Sequence, residues 1–210
     1  MKIDTKEILR KIPSAIKETL DTILFVLIAV IVIRFFIGEL RWIPSGSMHP
    51  TLIEGDRLFV EKLSKPFREP TRGDILVFYP PDEPLRKDFF SIISRLTGIL
   101  CKDIAFIKRI VGMPGDKLEI KMEEDGNYFV YINDNKLNEP YILSKSDWMP
   151  CRDDMYCGPF IVPEGNYFMM GDNRGNSQDS RFWGFLPKQR IIGRAVFVFW
   201  PPQRTQKLTR

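Results

Sequence analysis

The feature that most restricts this chain is an apolar run near its start, LDTILFVLIAVIVIRFFI from Leu20 to Ile37, whose centre from Ile23 to Ile33 holds eleven consecutive apolar residues. Extended through Phe35, Phe36 and Ile37 it approaches the roughly 18–20 residues that a helix needs to cross a bilayer. Asp21 and Arg34 stand near its ends, where an arginine stem reaches the headgroups while its charge stays wet. A single transmembrane anchor over residues 20–38 is therefore expected. A cleavable leader competes with that reading, but the RFFIGELRW that follows offers no pair of small residues at cleavage spacing. A buried core helix would be less uniformly apolar. Lys2, Lys6, Arg10, Lys11 and Lys17 precede the span, which makes residues 1–19 a basic cytoplasmic tail and leaves residues 39–210 facing outward.

The outer segment has a different texture. Most of the sixteen prolines and fourteen glycines lie there, between short apolar runs, as in a β-rich domain. RLFVEK, DILVFYP, DIAFIKRIV, NYFMM and IIGRAVFVFW read as strands. KLEIK and YFVYIN, the latter before an Asp134-Asn135 turn, read as a hairpin pair within a small β extension at about residues 117–165. No helical period recurs between strands, so a mainly β, antiparallel sheet is expected rather than a parallel βαβ fold. One stretch departs from this: Phe89, Phe90, Ile93, Leu96 and Leu100 recur at helical spacing, as in a short amphipathic helix that packs on its own domain or touches the membrane. The 31 basic and 27 acidic side chains leave a net charge of +4, too mild and scattered for a nucleic-acid surface.

Cys151 and Cys157 bracket RDDMY. They either close a small disulfide loop, which suits an oxidising compartment, or are two separate thiols. No metal site is expected, because Cys101 and His49 do not supply a second paired set of ligands.

Chemistry is first suggested by WIPSGSMHPTL, Trp42 to Leu52, where Ser45 and Ser47 are candidate nucleophiles. The single histidine, His49, lies only two positions from Ser47, too near along a strand for a relaxed hydrogen bond to it. A lysine serves as a base only when neutral, which burial among apolar groups achieves. Lys108 sits in AFIKRIVG beside Phe106, Ile107, Ile110 and Val111. On pattern alone it is either such a base or a side chain snorkelling from a sheet edge. MGDNRGNSQDSRFWGFLP, Met170 to Pro187, adds hydroxyls and an Asp-Arg pair, groups suited to orienting a lysine. It lacks the ligand pattern of a calcium loop, since Arg174 stands third after Asp172 inclusive.

WIPSGSMHPTL, GDRLFVEK, RGDILVF, FIKRIVGMPGD and GDNRGNSQDSR stand in the order and local wording of bacterial type I signal peptidases, which the chain closely resembles. The resemblance covers the anchor and nearly all of the outer segment. It implies a membrane-anchored serine endopeptidase of the cytoplasmic membrane, with its catalytic domain on the extracytoplasmic face and no cofactor. Ser47 would be the nucleophile and Lys108 the general base. Ser45 would join the Ser47 N–H in the oxyanion hole, Ser177 would orient the lysine, and Asp179 with Arg181 would support that loop. Signal peptides of exported pre-proteins would be cut after small residues at positions −1 and −3. Ile43, Pro44, Met48, Leu52, Phe106 and Ile107 flank the dyad and would leave only shallow pockets. Gly175 departs from the family's usual aspartate, which alters loop support more than chemistry. Two alternatives carry different functions: a peptidase of the same dyad class dedicated to one secretion or conjugation partner, and a non-catalytic membrane-tethered peptide-binding module.

Overall fold

A computed structural model describes residues 13–63, 67–85, 88–97, 103–142, 144, 148, 151 and 155–208. Lys2, Lys6, Arg10 and Lys11, on which the topology of the tail was argued, lie outside the described residues, as do Leu100 and Cys101.

The chain begins with helix α1, Ser14–Val32, which continues through a widened π-helical turn at Ile33–Ile37. The apolar stretch Ile16–Ile37 is 22 residues long, has a mean hydropathy of 2.7 and holds no buried residue. Lys62 Nζ donates to the Arg34 carbonyl at 3.0 Å, tying the last turn to the domain. The helix passes without a linker into β1, Gly38–Trp42, which pairs antiparallel with β2, Arg57–Glu61. Gly38 permits that approach, because a Cβ there would run into the Val60 carbonyl and the Phe59 ring. Glu39 is buried at this junction. Burial acts to raise its carboxyl, but Arg41 and Lys62 outweigh that and hold it below the usual carboxylate range.

The remaining elements, in chain order, are β3 (Ile75–Phe78), α2 (Phe89–Thr97), β4 (Phe106–Gly112), β5 (Lys117–Met122), β6 (Tyr128–Ile132), β7 (Asn135–Lys136), β8 (Phe160–Ile161), β9 (Asn166–Met170), α3 (Ser180–Trp183), β10 (Leu186–Pro187), β11 (Ile191–Trp200) and β12 (Gln206–Lys207). The large sheet runs β1-β2-β11-β3-β4-β9-β10, with β12 also on β11, and a second sheet runs β7-β6-β5-β8. Every pairing is antiparallel. The fold is thus the mainly β, antiparallel one expected. β11 slips register against β2 between Ala195 and Phe197 and again between Val198 and Trp200, and such bulges bend a strand.

The core explains why ILVF in β3 shows no polar alternation. Ile75 and Val77 enter one cluster with Ile43, Met48, Leu52 and Val60, while Leu76 and Phe78 enter another with Ile110, Tyr167 and Met169. A strand covered on both faces must be apolar throughout. In the small sheet Leu118, Ile120, Val130 and Ile132 turn one face onto Val111, Phe168 and Met170. The turn after β6 falls one residue earlier than the sequence reading placed it. Asn133 and Asp134 carry φ of 51° and 65°, and Asn135 is already paired with Ile132. Asn and Asp are the side chains that best tolerate this left-handed pair.

Cys151 and Cys157 are bonded, with Cα atoms 6.1 Å apart. The Cys157 carbonyl accepts from Ile120 N–H at 2.7 Å, and Tyr156 N–H donates to the Arg181 carbonyl at 2.7 Å. The loop therefore ties the small sheet to α3. Closing so short a loop constrains the unfolded chain by about 2 kcal/mol. Replacing both cysteines by alanine is expected to lower Tm by roughly 4–8 °C, measurable by thermal denaturation followed by circular dichroism.

Candidate active site

The chain leaves β1 through buried Ile43 and an extended Ser45 (φ −138°, ψ 151°), then forms one 3-10 turn at Gly46–Met48. Met48 and Leu52 are fully enclosed in the core and anchor the turn at its C-terminal end, with Leu52 N–H donating to the Met48 carbonyl at 2.9 Å. Ser47, directly before Met48, has only 8% of its surface exposed. A Cβ at Gly46 would meet the tip of the exposed Glu54 side chain and the His49 ring. His49 pairs with Glu54 at 2.7 Å, pointing away from any role as base to Ser47.

Lys108 lies on β4, an interior strand between β3 and β9, in register with Leu76. That position removes the sheet-edge alternative, since no edge is near for the amine to reach. Its side chain is 5% exposed. Nζ lies 2.8 Å from Ser47 Oγ and donates to the Ile107 carbonyl at 3.0 Å, with the Phe106 ring centroid 5.5 Å away. Burial brings the ammonium down to about 8, against the pull of the Asp179 and Asp172 carboxylates in the other direction, with Arg181 adding a smaller downward push.

The loop after β9 closes over this pair. Gly171 is a contact point, because a Cβ there would strike both Ser177 Oγ and the Ser47 carbonyl. Asp179 caps α3 and is buried in a bidentate pair with Arg181, Nε to Oδ1 at 2.9 Å and Nη2 to Oδ2 at 3.0 Å, while Gly171 N–H donates to Oδ2 at 3.0 Å. Burial opposes the Asp179 charge, but Arg181 and the Gly171 N–H outweigh it and keep the carboxyl below its ordinary value. Ser177 Oγ is buried without a partner of hydrogen-bond geometry. The expected bond from Ser177 to Lys108 is not formed in this arrangement, in which Nζ meets Ser47 Oγ and the Ile107 carbonyl.

The family described as "Signal peptidase, peptidase S26" matches residues 16–200. The chain belongs to this family. It is 42% identical over 188 residues to the probable signal peptidase I-2 of Synechocystis sp., covering 90% of this chain and 75% of that one. It is 41% identical over 198 residues to the signal peptidase I of Leptolyngbya laminosa, covering 94% and 86%. A crystal structure of a signal peptidase I from Enterococcus faecalis is 27% identical, spans 60% of this chain and 97% of its own, and gives a TM-score of 0.41.

The signal peptidase fold in this chain places the six residues proposed to line the pockets at different depths. Met48 and Leu52 are wholly enclosed and Ile43 nearly so, so their side chains belong to the core beneath the serine turn. Ile107 packs on that core half-buried, Phe106 is half-buried on the other core cluster, and Pro44 and Ser45 are exposed. Three supports were not singled out from sequence. Arg109 forms a buried bidentate pair with Asp172 at 2.8 and 2.6 Å, and Thr51 Oγ1 donates to the same carboxylate at 2.5 Å. Asn173 donates from Nδ2 to the Gly46 carbonyl at 3.0 Å and from N–H to the Ser47 carbonyl at 3.2 Å, clamping the serine turn. Arg174 is buried against Glu139, with its guanidinium 4.5 Å from the Trp148 ring centroid. The only sequence signal was the density of charge in GDNR; the partners lie far away in the chain. Among the described residues no group of three or more His, Cys, Asp or Glu is placed to hold a metal ion.

Proposed function

We propose that this member of the signal peptidase family removes signal peptides from exported pre-proteins, with Ser47 as nucleophile and Lys108 as general base. The observation that carries the reading is the 2.8 Å approach of a buried lysine amine to a buried serine hydroxyl. In the neutral form Nζ accepts the Ser47 proton as Oγ adds to the scissile carbonyl carbon. Ser47 N–H, at the start of the 3-10 turn, and the Ser45 hydroxyl, in the exposed residue before it, would receive the developing oxyanion. One such donor is typically worth about 2.7–4 kcal/mol of barrier. The protonated amine then gives its proton to the leaving nitrogen as the C–N bond breaks. A water molecule deprotonated by the same amine hydrolyses the acyl-enzyme. Ser177, whose buried hydroxyl is otherwise unsatisfied, would accept from Nζ and orient it once Ser47 is acylated. Asp179 and Arg181 hold the loop that carries it.

The remaining assignments follow the same reading. α1 anchors the enzyme with residues 1–19 on the cytoplasmic side and residues 39–210 outside, in the cytoplasmic membrane of a bacterium. Small side chains at −1 and −3 suit a cleft that meets the filled core of Ile43, Met48 and Leu52 beneath the serine turn.

Purified full-length protein is expected to cleave an exported precursor with a rate that rises with pH through about 8, because Lys108 is a base only after losing its proton. Ser47→Ala should abolish cleavage without change in the circular dichroism spectrum. Full activity in that variant, or a rate that falls as pH rises from 7 to 9, would reject the mechanism.

A further inference from the structure

Helix α2 is built inside out. On a helix packed against a soluble domain the apolar side chains turn inward and the polar ones meet water. Here Phe89 is 70% and Phe90 81% exposed, and Ile92 and Ile93 are exposed as well. Ser91, Ser94 and Arg95 are instead half-buried. Ser94 Oγ donates to the Ser91 carbonyl at 3.0 Å, and Arg95 Nη1 donates to Asp103 at 2.9 Å. Asp88 fixes the first turn by accepting from Ser91 N–H at 2.9 Å and Ser91 Oγ at 2.8 Å.

The place of α2 in the fold says what covers the outer face. It packs against both α1 and the Ile33–Ile37 turn. The apolar stretch Ile16–Ile37 has 22 residues, which at 1.5 Å each is about 33 Å, just over the roughly 30 Å hydrocarbon thickness. Ile33–Ile37 therefore sits at the edge of the hydrocarbon, and Gly38 begins β1 with no slack. Arg95 of α2 borders a hollow of about 580 Å³ whose other walls include Phe35, Phe36, Leu63 and Phe67. These four side chains are themselves largely exposed. They continue the uncovered apolar surface of the span onto the domain.

We propose that α2 lies in the headgroup layer of the outer leaflet as a second membrane contact beside the anchor, with Phe89 and Phe90 inserted into lipid. Such a contact removes one axis of swing at the Gly38 junction and fixes the orientation of the serine-lysine cleft to the bilayer. A helix with polar residues inward and phenylalanines outward is stable only where that outward surface is not water. The inference rests on α1 spanning the membrane.

The test uses the full chain with Cys101→Ser, reconstituted in phosphatidylcholine–phosphatidylglycerol vesicles and labelled with an environment-sensitive fluorophore at a single new cysteine. Phe90→Cys reports on α2, Leu27→Cys on the span, and Glu124→Cys on a water-exposed turn of the small sheet. The expected result is a blue-shifted label at position 90, quenched by shallow doxyl lipids several-fold more than at position 124 and shielded from iodide. Position 27 should be quenched best by deep doxyl lipids. Iodide access at position 90 equal to that at 124 overturns the proposal. So does shielding without doxyl quenching, which would mean that a second copy or the domain itself covers α2. Failure at position 27 would reject the anchor, whereas precursor cleavage measured in the same vesicles tests the enzymatic reading separately.

Discussion

Lys108→Met is expected to end cleavage and to make the protein harder to unfold. The first effect follows from removing the base proposed for Ser47, and loss of a comparable nucleophile or base costs on the order of 10⁶-fold in kcat. The second follows from the shift that makes the lysine useful. Its ammonium falls from 10.5 in the unfolded chain to about 8 in the fold, chiefly through burial. Each unit is worth about 1.4 kcal/mol, so the buried amine costs about 3 kcal/mol at neutral pH. Between pH 8 and 10.5 the unfolded state binds more protons than the native one, and stability of the unaltered protein rises with pH across that window. The penalty is present in full below about 8. Methionine is unbranched, of similar length and uncharged, and it leaves the Ile107 carbonyl and the Ser47 hydroxyl without the amine, a loss of about 1–2 kcal/mol. A net gain of about 1–2 kcal/mol raises Tm at pH 7 by roughly 2–8 °C. Thermal melts at pH 7 and pH 10 decide the matter: the gap between the two proteins should narrow at the higher pH. A gap independent of pH would mean that Lys108 is not held neutral by its surroundings.

How much of this was legible in the chain depends on how local each signal is. The span announced itself because a bilayer demands an unbroken apolar run, and nothing else in the sequence resembles it. β5 and β6 were readable because one face of each is wet, so alternation survives in KLEIK and YFVYIN. β3 was readable as a strand but not as a doubly covered one; ILVF carries no record of which neighbours lie on which side. Lys108 was ambiguous for the same reason. Its apolar flanks fit an edge or a centre, and only the pairing of β4 with both β3 and β9 places it inside. The residues that hold the site were the least legible. Asn173 clamps the Gly46 and Ser47 carbonyls across 127 positions, and Arg109 finds Asp172 across 63. No spacing rule reaches that far. The loop from Gly171 to Arg181 showed too many polar residues for its surroundings, which marks a site without naming the partners. Helix α2 was seen as a periodic stripe, and its inverted orientation became visible only once its neighbours were in place.

Asp172→Ala is expected to be among the most destabilising single changes in the domain. The carboxylate has no exposed surface, takes two bonds from Arg109 at 2.8 and 2.6 Å, and accepts a third from Thr51 at 2.5 Å. Its removal leaves a guanidinium that is itself buried, with the Gly73 carbonyl at 2.9 Å, the Thr51 hydroxyl at 3.3 Å and the face of the Tyr141 ring at 4.0 Å, all uncharged, to offset the charge. Stranding one member of a buried pair costs about 3–5 kcal/mol, a fall in Tm of roughly 10 °C or more. Because most of that cost is the orphaned cation and not the lost bond, Asp172→Ala combined with Arg109→Met should melt above Asp172→Ala alone. Activity separates this charge effect from simple loosening. Asp172 pulls the Lys108 amine upward, so its loss moves the rise of cleavage rate to lower pH in whatever fraction remains folded. Assays of the single variant below its melting temperature test both claims. A double variant no more stable than the single, with an unmoved pH profile, would show that the Arg109–Asp172 pair neither carries the stability nor reaches the lysine.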